Sequence, residues 1–433
     1  MSVPTSPPGL SRSLGLTALI LYGIGDILGA GIYALVGKVA GISGQAAWIS
    51  FGVSAVLAAV TGLAYAEMTS RVPQAAGAAA FAARAFRHPL VPYVVGFFVL
   101  ASGVTSTAAV SRAFYGYLKV FLNIPELAAA LGLIALVSYI SFRGISLSAG
   151  VNNVLTVIEV SGLLLVIFLG LKYASGLPAG ELASRVMPDT GLLPILTGST
   201  IAFYAFIGFE DLANLAEEAV DPSRNIPRAI LAAVAVSTVI YLIVTFIVLW
   251  AMTPAQAAAS STPLLDVIKI AGYPLPDWSF APVALVAVCN TGLANLIMGS
   301  RLLYGMAEQG LIPRVFSKIH PGRRTPWVAI LAVMGLCVLL VVTGGVQIMA
   351  QTTSLLLMTA FLVVHLSLII VRRQDPDAEA IFKVPGFVPY VGIVACVALA
   401  LRSPPAAWGR MLGVLALALV LYVAVPRSAP KSA

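Results

Sequence analysis

The sequence predicts an all-α polytopic membrane protein. Hydrophobic residues make up 60% of the 433-residue chain and charged residues only 10%, whereas a soluble domain carries roughly 25% charged residues. Too few polar side chains exist to cover a soluble globule, and the same composition excludes a disordered chain. The apolar segments are nearly continuous, as at 53–61 and 163–171, whereas strands of a membrane barrel alternate polar and apolar residues.

The apolar segments are long enough to cross a bilayer, because a membrane helix needs about 20 residues. We expect twelve spans, at residues 14–38, 46–69, 91–118, 126–142, 149–172, 191–215, 228–252, 280–305, 327–344, 347–371, 387–402 and 406–425. Between them, residues 73–87 resemble a cytoplasmic loop with an amphipathic helix of its own, and 254–277 form the longest outer loop. No loop is long enough for a second domain, so we treat 1–433 as one transmembrane domain.

Lysine and arginine side chains indicate which side each loop faces, because cytoplasmic loops carry an excess of them. With the N-terminus inside, the cytoplasmic side receives the larger share, including Arg323, Arg324, Arg372 and Arg373. We therefore expect both termini in the cytoplasm and a location in the cell membrane. The first apolar segment is too long for a cleaved signal sequence, so we expect it to be retained as a span.

Several classes of partner and chemistry are disfavoured. The net charge of +8 does not indicate nucleic acid, because the basic residues are scattered among apolar runs without forming a stripe. The three cysteines lie inside apolar runs, with no disulfide or metal-ligand spacing. An enzyme needs a nucleophile–base pair or metal ligands, and three dispersed histidines supply neither. We expect no catalytic residue, metal or cofactor.

Two spans are interrupted by glycine and polar residues. Residues 23–33 in the first span read GIGDILGAGIY, and residues 203–211 in the sixth read FYAFIGFED. Five spans separate their starts, and an odd repeat length places the second copy upside down in the membrane. Interrupted helices at matching positions of two halves are the best sequence indication of a transporter site. We therefore expect inverted repeats over about 14–172 and 191–371, with two further helices over 387–425.

The first interruption would expose main-chain groups that a small zwitterion can bind. A carboxylate suits the free N–H groups at the start of a half-helix, and an ammonium suits carbonyl groups at the opposite end. We expect the N–H groups of Ala30 and Gly31 to face the carboxylate and the carbonyl of Ile27 to accept the ammonium. Gly29 permits close approach because it lacks a Cβ. Close helix packing through Gly25 and Gly29 is the alternative.

The second interruption would add further acceptors. We expect carbonyl groups of Tyr204, Ala205 and Ile207, next to Gly208, to contribute to the same site. The ring of Tyr204 is large enough to stack over a ligand as a gate. After this span, the acidic pair Glu217–Glu218 with Arg224 is expected to form a cytoplasmic gate or a loop staple.

Motifs spread over most of the chain resemble the amino acid–polyamine–organocation superfamily. They comprise the first-span segment 25–33, the segments 64–67 and 73–77, the sixth-span segment 203–210 with 217–218 and 221–227, and the segments 300–301 and 310–313. The resemblance implies the LeuT-like fold, a 5+5 inverted repeat within 12 transmembrane helices, with helices 1 and 6 broken. It also implies secondary active transport of amino acids or related amines, and it agrees with the main-chain ligands expected above.

The fifth span departs from the pattern that it resembles. Residues 151–159 are similar to those of the cationic-amino-acid-transporter-like branch, in which the last position is often a lysine whose ammonium replaces a sodium ion. This chain has Glu159 there, which changes the local charge by two units. A lysine-type proton site is therefore not inherited, and Glu159 could carry a proton itself or attract a cation.

Asp26, Glu159 and Glu210 are the acids that we expect to couple transport to a proton. A charged side chain at mid-membrane costs roughly 2.5–3.5 kcal/mol on insertion scales, so buried acids there indicate a function. Plainer roles remain open, because Asp26 could cap freed N–H groups and Glu210 could anchor the following loop.

These observations favour a secondary active transporter that takes up neutral amino acids with protons by alternating access. The apolar setting of the expected pocket favours neutral substrates. Cationic amino acids or polyamines are the alternative, because Asp26 and Glu210 could neutralise an amine. Sodium coupling and uncoupled transport also stay open. A channel would need continuous polarity along several helices, whereas polarity here concentrates at two interruptions.

Overall fold

The computed structural model describes residues 12–260, 262–273, 276–342, 346–375 and 381–424. Within those ranges the chain is helical, and the one pairing of extended backbone is an isolated bridge between Leu14 and Ala219. The helices of the first half are α1 Leu16–Leu28, α2 Ala30–Ser43, α3 Ala47–Arg71, α4 Gly77–Ala85, α5 Leu90–Leu118, α6 Glu126–Arg143, α7 Ile145–Ala174 and α8 Ala179–Arg185.

The second half continues with helices of the same kind. They are α9 Leu192–Phe206, α10 Asp211–Asn214, α11 Pro222–Ala251, α12 Pro254–Ala259, α13 Pro263–Ile270, α14 Asp277–Glu308, α15 Trp327–Val341, α16 Val346–Gln374, α17 Val388–Ala400 and α18 Pro405–Ala424. Short 3₁₀ turns occur at Gly44–Ala46 and Arg314–Ser317.

Ten helical segments of the described chain are long and apolar enough to cross a membrane, and the apolar helices α15 and α17 are shorter. Large apolar side chains are exposed on the outer helices, as at Val154 and Phe168 of α7 and Val423 of α18, which are 60%, 64% and 86% exposed. Exposed apolar surface of this extent is suited to lipid rather than water. The chain is therefore a multi-pass membrane protein.

The helix boundaries lie close to the predicted spans, with one clear exception. Helix α11 begins at Pro222, before the predicted start of the seventh span at 228, and the preceding Asp221 has a left-handed backbone with φ 45°. Proline at the first helical position loses no hydrogen bond, because that N–H has no partner within the helix. The helix therefore begins before the apolar run that marks the span.

The predicted loop helix at 73–87 exists as α4, but it is buried between neighbouring helices. Its N-cap is Ala76 in a left-handed conformation with φ 78°. Its small side chains let α4 pack against α5 and α16. The ring of Phe81 is fully buried, 5.6 Å from that of Tyr65 in α3. Amphipathicity alone did not indicate this burial.

A buried ion pair ties the end of α14 to the segment after α10. Arg301 and Glu218 are both 0% exposed, and Nε of Arg301 lies 3.1 Å from Oε2 of Glu218. The carbonyl of Glu218 also accepts the N–H groups of Ser13 and Leu14, at 3.0 and 3.1 Å. The expected loop staple therefore uses Glu218, but its cation is Arg301.

The residues expected to join Glu218 lie apart from it. Arg224 is 60% exposed and pairs loosely with Asp221, at 3.9 Å. Glu217 instead accepts the N–H of Ala75, at 3.1 Å. The expected Glu217–Glu218–Arg224 cluster is thus wrong in its cation, because Arg224 lies exposed in the first turn of α11.

Replacing Arg301 by methionine should lower the free energy of unfolding by about 3–5 kcal/mol, because the Glu218 carboxylate would stay buried without its partner. Thermal unfolding of the purified protein measures the change. Arg224→Met is the matched control, and an exposed ion pair contributes about 0–1 kcal/mol. Equal destabilisation by the two variants would contradict a structural role for the buried pair.

Candidate functional site

The first interruption separates α1 from α2 at a single glycine. Helix α1 ends at Leu28, Gly29 has φ −42° and ψ −157°, and α2 begins at Ala30. A Cβ on Gly29 would lie 1.9 Å from Oγ1 of Thr291 in α14. Glycine therefore lets α14 approach the main chain where its helical hydrogen bonding stops.

The second interruption separates α9 from α10. Helix α9 ends at Phe206, Ile207 is extended, and Gly208 has φ 134°. The N–H of Gly208 donates to Oε2 of Glu210, at 2.9 Å. A Cβ on Gly208 would lie 2.8 Å from the carbonyl carbon of Asp26. Glycine is thus required here both for its positive φ and for close contact with the first interruption.

The two interruptions are in direct contact. A Cβ on Gly31 would lie 2.7 Å from Cα of Ala205. The hydroxyl of Tyr241, in α11, contacts the carbonyl oxygens of both Ile27 and Ala205, the latter at 2.7 Å. A hydroxyl carries one proton, so Tyr241 donates to one carbonyl at a time.

Tyr241 was missed by the sequence reasoning. It lies within a long apolar span, and a buried tyrosine hydroxyl normally requires a hydrogen-bond partner. That need was the available signal. The sequence could not show which main-chain groups would meet it, because Ile27 is 214 positions away.

A small cavity of about 20 Å³ lies where the interruptions meet. Seven of the eight predicted binding residues line it, together with one predicted acid and four other polar residues: Ile27, Gly29, Gly31, Tyr204, Ala205, Ile207, Gly208, Asp26, Ser106, Asp211, Thr291 and Asn295. Ala30 stands between two lining glycines as the first residue of α2. A water molecule needs about 10–15 Å³, so the helices must move apart to admit an amino acid.

Some of the predicted acceptors already have protein donors. The carbonyl of Tyr204 accepts the N–H of Ile207, at 3.3 Å, while those of Ile27 and Ala205 meet Tyr241. Each carbonyl oxygen has two lone pairs, so a second donor can still bind. The hydroxyl of Tyr204 lies 3.1 Å from that of Ser106 and joins α9 to α5 across the cavity.

The three predicted acids lie in different environments. Asp26 is 4% exposed and lines the cavity. Glu210 anchors the second interruption through the N–H of Gly208. Glu159 is buried behind the first interruption, where Nδ2 of Asn290 lies 3.3 Å from its Oε2 and 3.3 Å from the carbonyl of Gly25. Neither Glu159 nor Glu210 is among the lining residues.

Asp211 was also missed by the sequence reasoning. It is the first residue of α10, 3% exposed, and it lines the cavity beside Asp26. One buried carboxyl oxygen of each, Oδ1 of Asp211 and Oδ2 of Asp26, has no hydrogen-bond partner within the described residues. Two consecutive acids after the glycine were the available signal, but the motif drew attention to Glu210 alone. Among the residues that the structure describes, no cluster of three or more histidine, cysteine or acidic side chains could hold a metal ion.

Comparison with known proteins shows that the chain is similar to amino acid transporters. Residues 14–425 match the family model described as amino acid permease. The chain is 28% identical to the branched-chain amino acid permease BcaP of Bacillus subtilis (strain 168), over 98% of this chain and 94% of that protein. It is 27% identical to the methylthioribose transporter of the same organism, with the same coverage.

A further relative is cationic amino acid transporter 4 of Homo sapiens, which is 31% identical over 86% of this chain and 61% of that protein. The family match extends through both interrupted helices and the cavity between them. The chain therefore belongs to the amino acid permease family of the amino acid–polyamine–organocation superfamily.

Proposed function

We propose that this permease takes up neutral amino acids together with protons, by alternating access in the cell membrane. The observation that carries the proposal is the cavity between the two interrupted helices, which is lined by main-chain groups and by the apolar side chains of Ile27, Ala205 and Ile207. Main-chain groups recognise the ammonium and carboxylate that all α-amino acids share. Apolar side chains suit a neutral substituent, and one relative is named for branched-chain amino acids.

We place the substrate carboxylate at the N–H groups of Ala30 and Gly31, where α2 begins. The start of a helix carries a partial positive charge and unpaired N–H groups. The ammonium then lies near the carbonyl groups of Ile27, Tyr204 and Ala205. Tyr241 holds two of these carbonyls in place, and the ammonium uses their remaining lone pairs.

The proposal also covers the fold, which we infer to be a LeuT-like 5+5 inverted repeat. In it, α15 and α17 are the ninth and eleventh spans, which makes twelve helices across the membrane. The repeats comprise 14–172 and 191–371, with 387–425 outside the core and both termini in the cytoplasm. The interruptions in the first and sixth spans then occupy matching positions, as expected when substrate binds between two inverted halves.

A cationic substrate is the second candidate. Asp26 and Asp211 place two carboxyl groups on the cavity wall, and one relative is a cationic amino acid transporter. Proton coupling uses one or more of Asp26, Glu159 and Glu210, and a sodium ion near Glu159 is the alternative.

Uptake by proteoliposomes distinguishes these possibilities. We expect leucine or alanine to accumulate under an inside-alkaline pH gradient, and arginine to compete weakly. The measurement is uptake of radiolabelled amino acid with and without the gradient, each with and without sodium. Uptake that ignores both gradients would contradict coupling, and no uptake of any amino acid would contradict the transport function.

Adding a methyl group at Gly31 should block the site, because its Cβ would meet the main chain of Ala205. For Gly31→Ala we expect uptake to fall about tenfold or more, the effect of about 1.4 kcal/mol of strain. Gly52→Ala in α3 is the matched control, since no atom lies within 4 Å of its added Cβ. Normal uptake by Gly31→Ala would exclude close contact of the two helices during transport.

Removing the hydroxyl of Tyr241 should destabilise both interruptions. In Tyr241→Phe the two buried carbonyls lose the single hydroxyl donor that they share, which costs about 1–3 kcal/mol and should weaken substrate affinity. Thermal unfolding and substrate titration measure the two effects. Tyr65→Phe is the control, because its buried hydroxyl has no partner in the part of the chain that the structure describes. Similar behaviour of both variants would show that the bridge is unimportant.

A further inference from the structure

We propose that Asp26 and Asp211 form one proton-binding site at the contact between the two interrupted helices, and that this proton moves with the substrate. The inference rests on the proposed transport function and deepens it. It adds Asp211 to the site, and it identifies a pair of carboxyl groups, rather than a single acid, as the proton carrier.

The geometry favours a proton shared by the two carboxyl groups. Both line the same cavity of about 20 Å³, and a carboxylate can only accept hydrogen bonds. Oδ2 of Asp26 and Oδ1 of Asp211 are both buried, and neither has a hydrogen-bond partner within the described residues. One proton shared by the pair supplies the missing donor, and such a pair titrates as a unit.

The surrounding charges favour keeping that proton. Glu210 acts on both carboxyl groups of the pair, and Glu159 lies within electrostatic reach of Asp26. The tyrosines within electrostatic reach of the pair, Tyr22, Tyr65 and Tyr241, carry no positive charge that could balance it. Arg301 acts on Tyr22 but is already paired with Glu218, at 3.1 Å. Two adjacent carboxylates without a balancing cation are strongly disfavoured away from water.

Because the pair lies on the cavity wall, its proton reaches water on either side of the membrane by the same route as the substrate. Asp26 belongs to α1 and Asp211 to α10, so movement that opens the cavity also separates the two carboxyl groups. A hydronium ion in the water that enters on the loading side transfers a proton, which forms an O–H bond to one carboxyl oxygen and leaves a water molecule. When the cavity opens on the other side, that bond breaks and the proton passes to water, leaving two carboxylates that are then solvated.

The other buried acids are less suited to this role. Oε2 of Glu210 is occupied by the N–H of Gly208, which fixes the second interruption. Glu159 lies behind α1, and Asn290 connects it to Gly25. The cavity wall includes Asp26 and Asp211 but neither of these glutamates. An acid outside the wall has no evident route to the water that carries the substrate.

The test compares Asp26→Asn and Asp211→Asn with Glu159→Gln and Glu210→Gln in proteoliposomes. Each asparagine variant replaces one carboxyl group of the pair by an amide. The amide N–H can donate to the remaining carboxylate, so that no shared proton is needed. A pH-sensitive dye inside the vesicles reports protons, and radiolabelled leucine reports substrate. We expect the ratio of protons to leucine to fall to near zero in both asparagine variants, whatever their remaining transport rate. It should persist in the glutamine variants.

Infrared spectroscopy of the purified protein provides a second readout that does not need transport. At neutral pH, the difference between the spectrum of the wild type and that of each asparagine variant should contain the carbonyl stretch of a protonated carboxyl group. The spectra of Glu159→Gln and Glu210→Gln identify bands from the other buried acids. A wild-type ratio in Asp211→Asn, or the absence of this band from either difference spectrum, would overturn the proton pair. Failure of the wild type to take up any amino acid would instead overturn the transport function, while the infrared result would still decide the pair.

Discussion

A bilayer supplies no hydrogen-bond partner to a main-chain group, and this constraint determines how the two helix interruptions are packed. Wherever a spanning helix stops, the protein itself must satisfy the freed groups. Tyr241 does so for the carbonyls of Ile27 and Ala205, one at a time, and Glu210 does so for the N–H of Gly208. The interruptions are therefore stable parts of the fold, with spare acceptor capacity left for a ligand.

The same constraint explains how the two interruptions come to share one cavity. Because Gly31 and Gly208 have no side chain, each interrupted helix packs against the main chain of the other, at Ala205 and at Asp26. Without side chains at these two positions, the polar ends of both helices face one another rather than lipid. A ligand between them can then contact both interrupted helices.

Properties that depend on local sequence were predictable, and properties that depend on distant pairing were not. The spans followed from apolar length, and the interruptions from glycine within an apolar run. Tyr241, Asp211 and the ion pair of Arg301 with Glu218 were missed, because each role is fixed by a partner on another helix. For Arg301 the partner is 83 positions away. Sequence spacing carries no information about such contacts until the helices are packed.

The charges at the centre constrain which ions this fold can use. Asp26, Glu159, Glu210 and Asp211 are all buried near the interruptions. Within the described residues, the buried cation Arg301 is paired with Glu218. Ionising all four acids would leave several unbalanced negative charges in a medium that stabilises them poorly. Balance must therefore come from mobile cations, namely a proton, a sodium ion or the ammonium of the substrate. In the proposed mechanism, loading of the site is therefore linked to the uptake of positive charge.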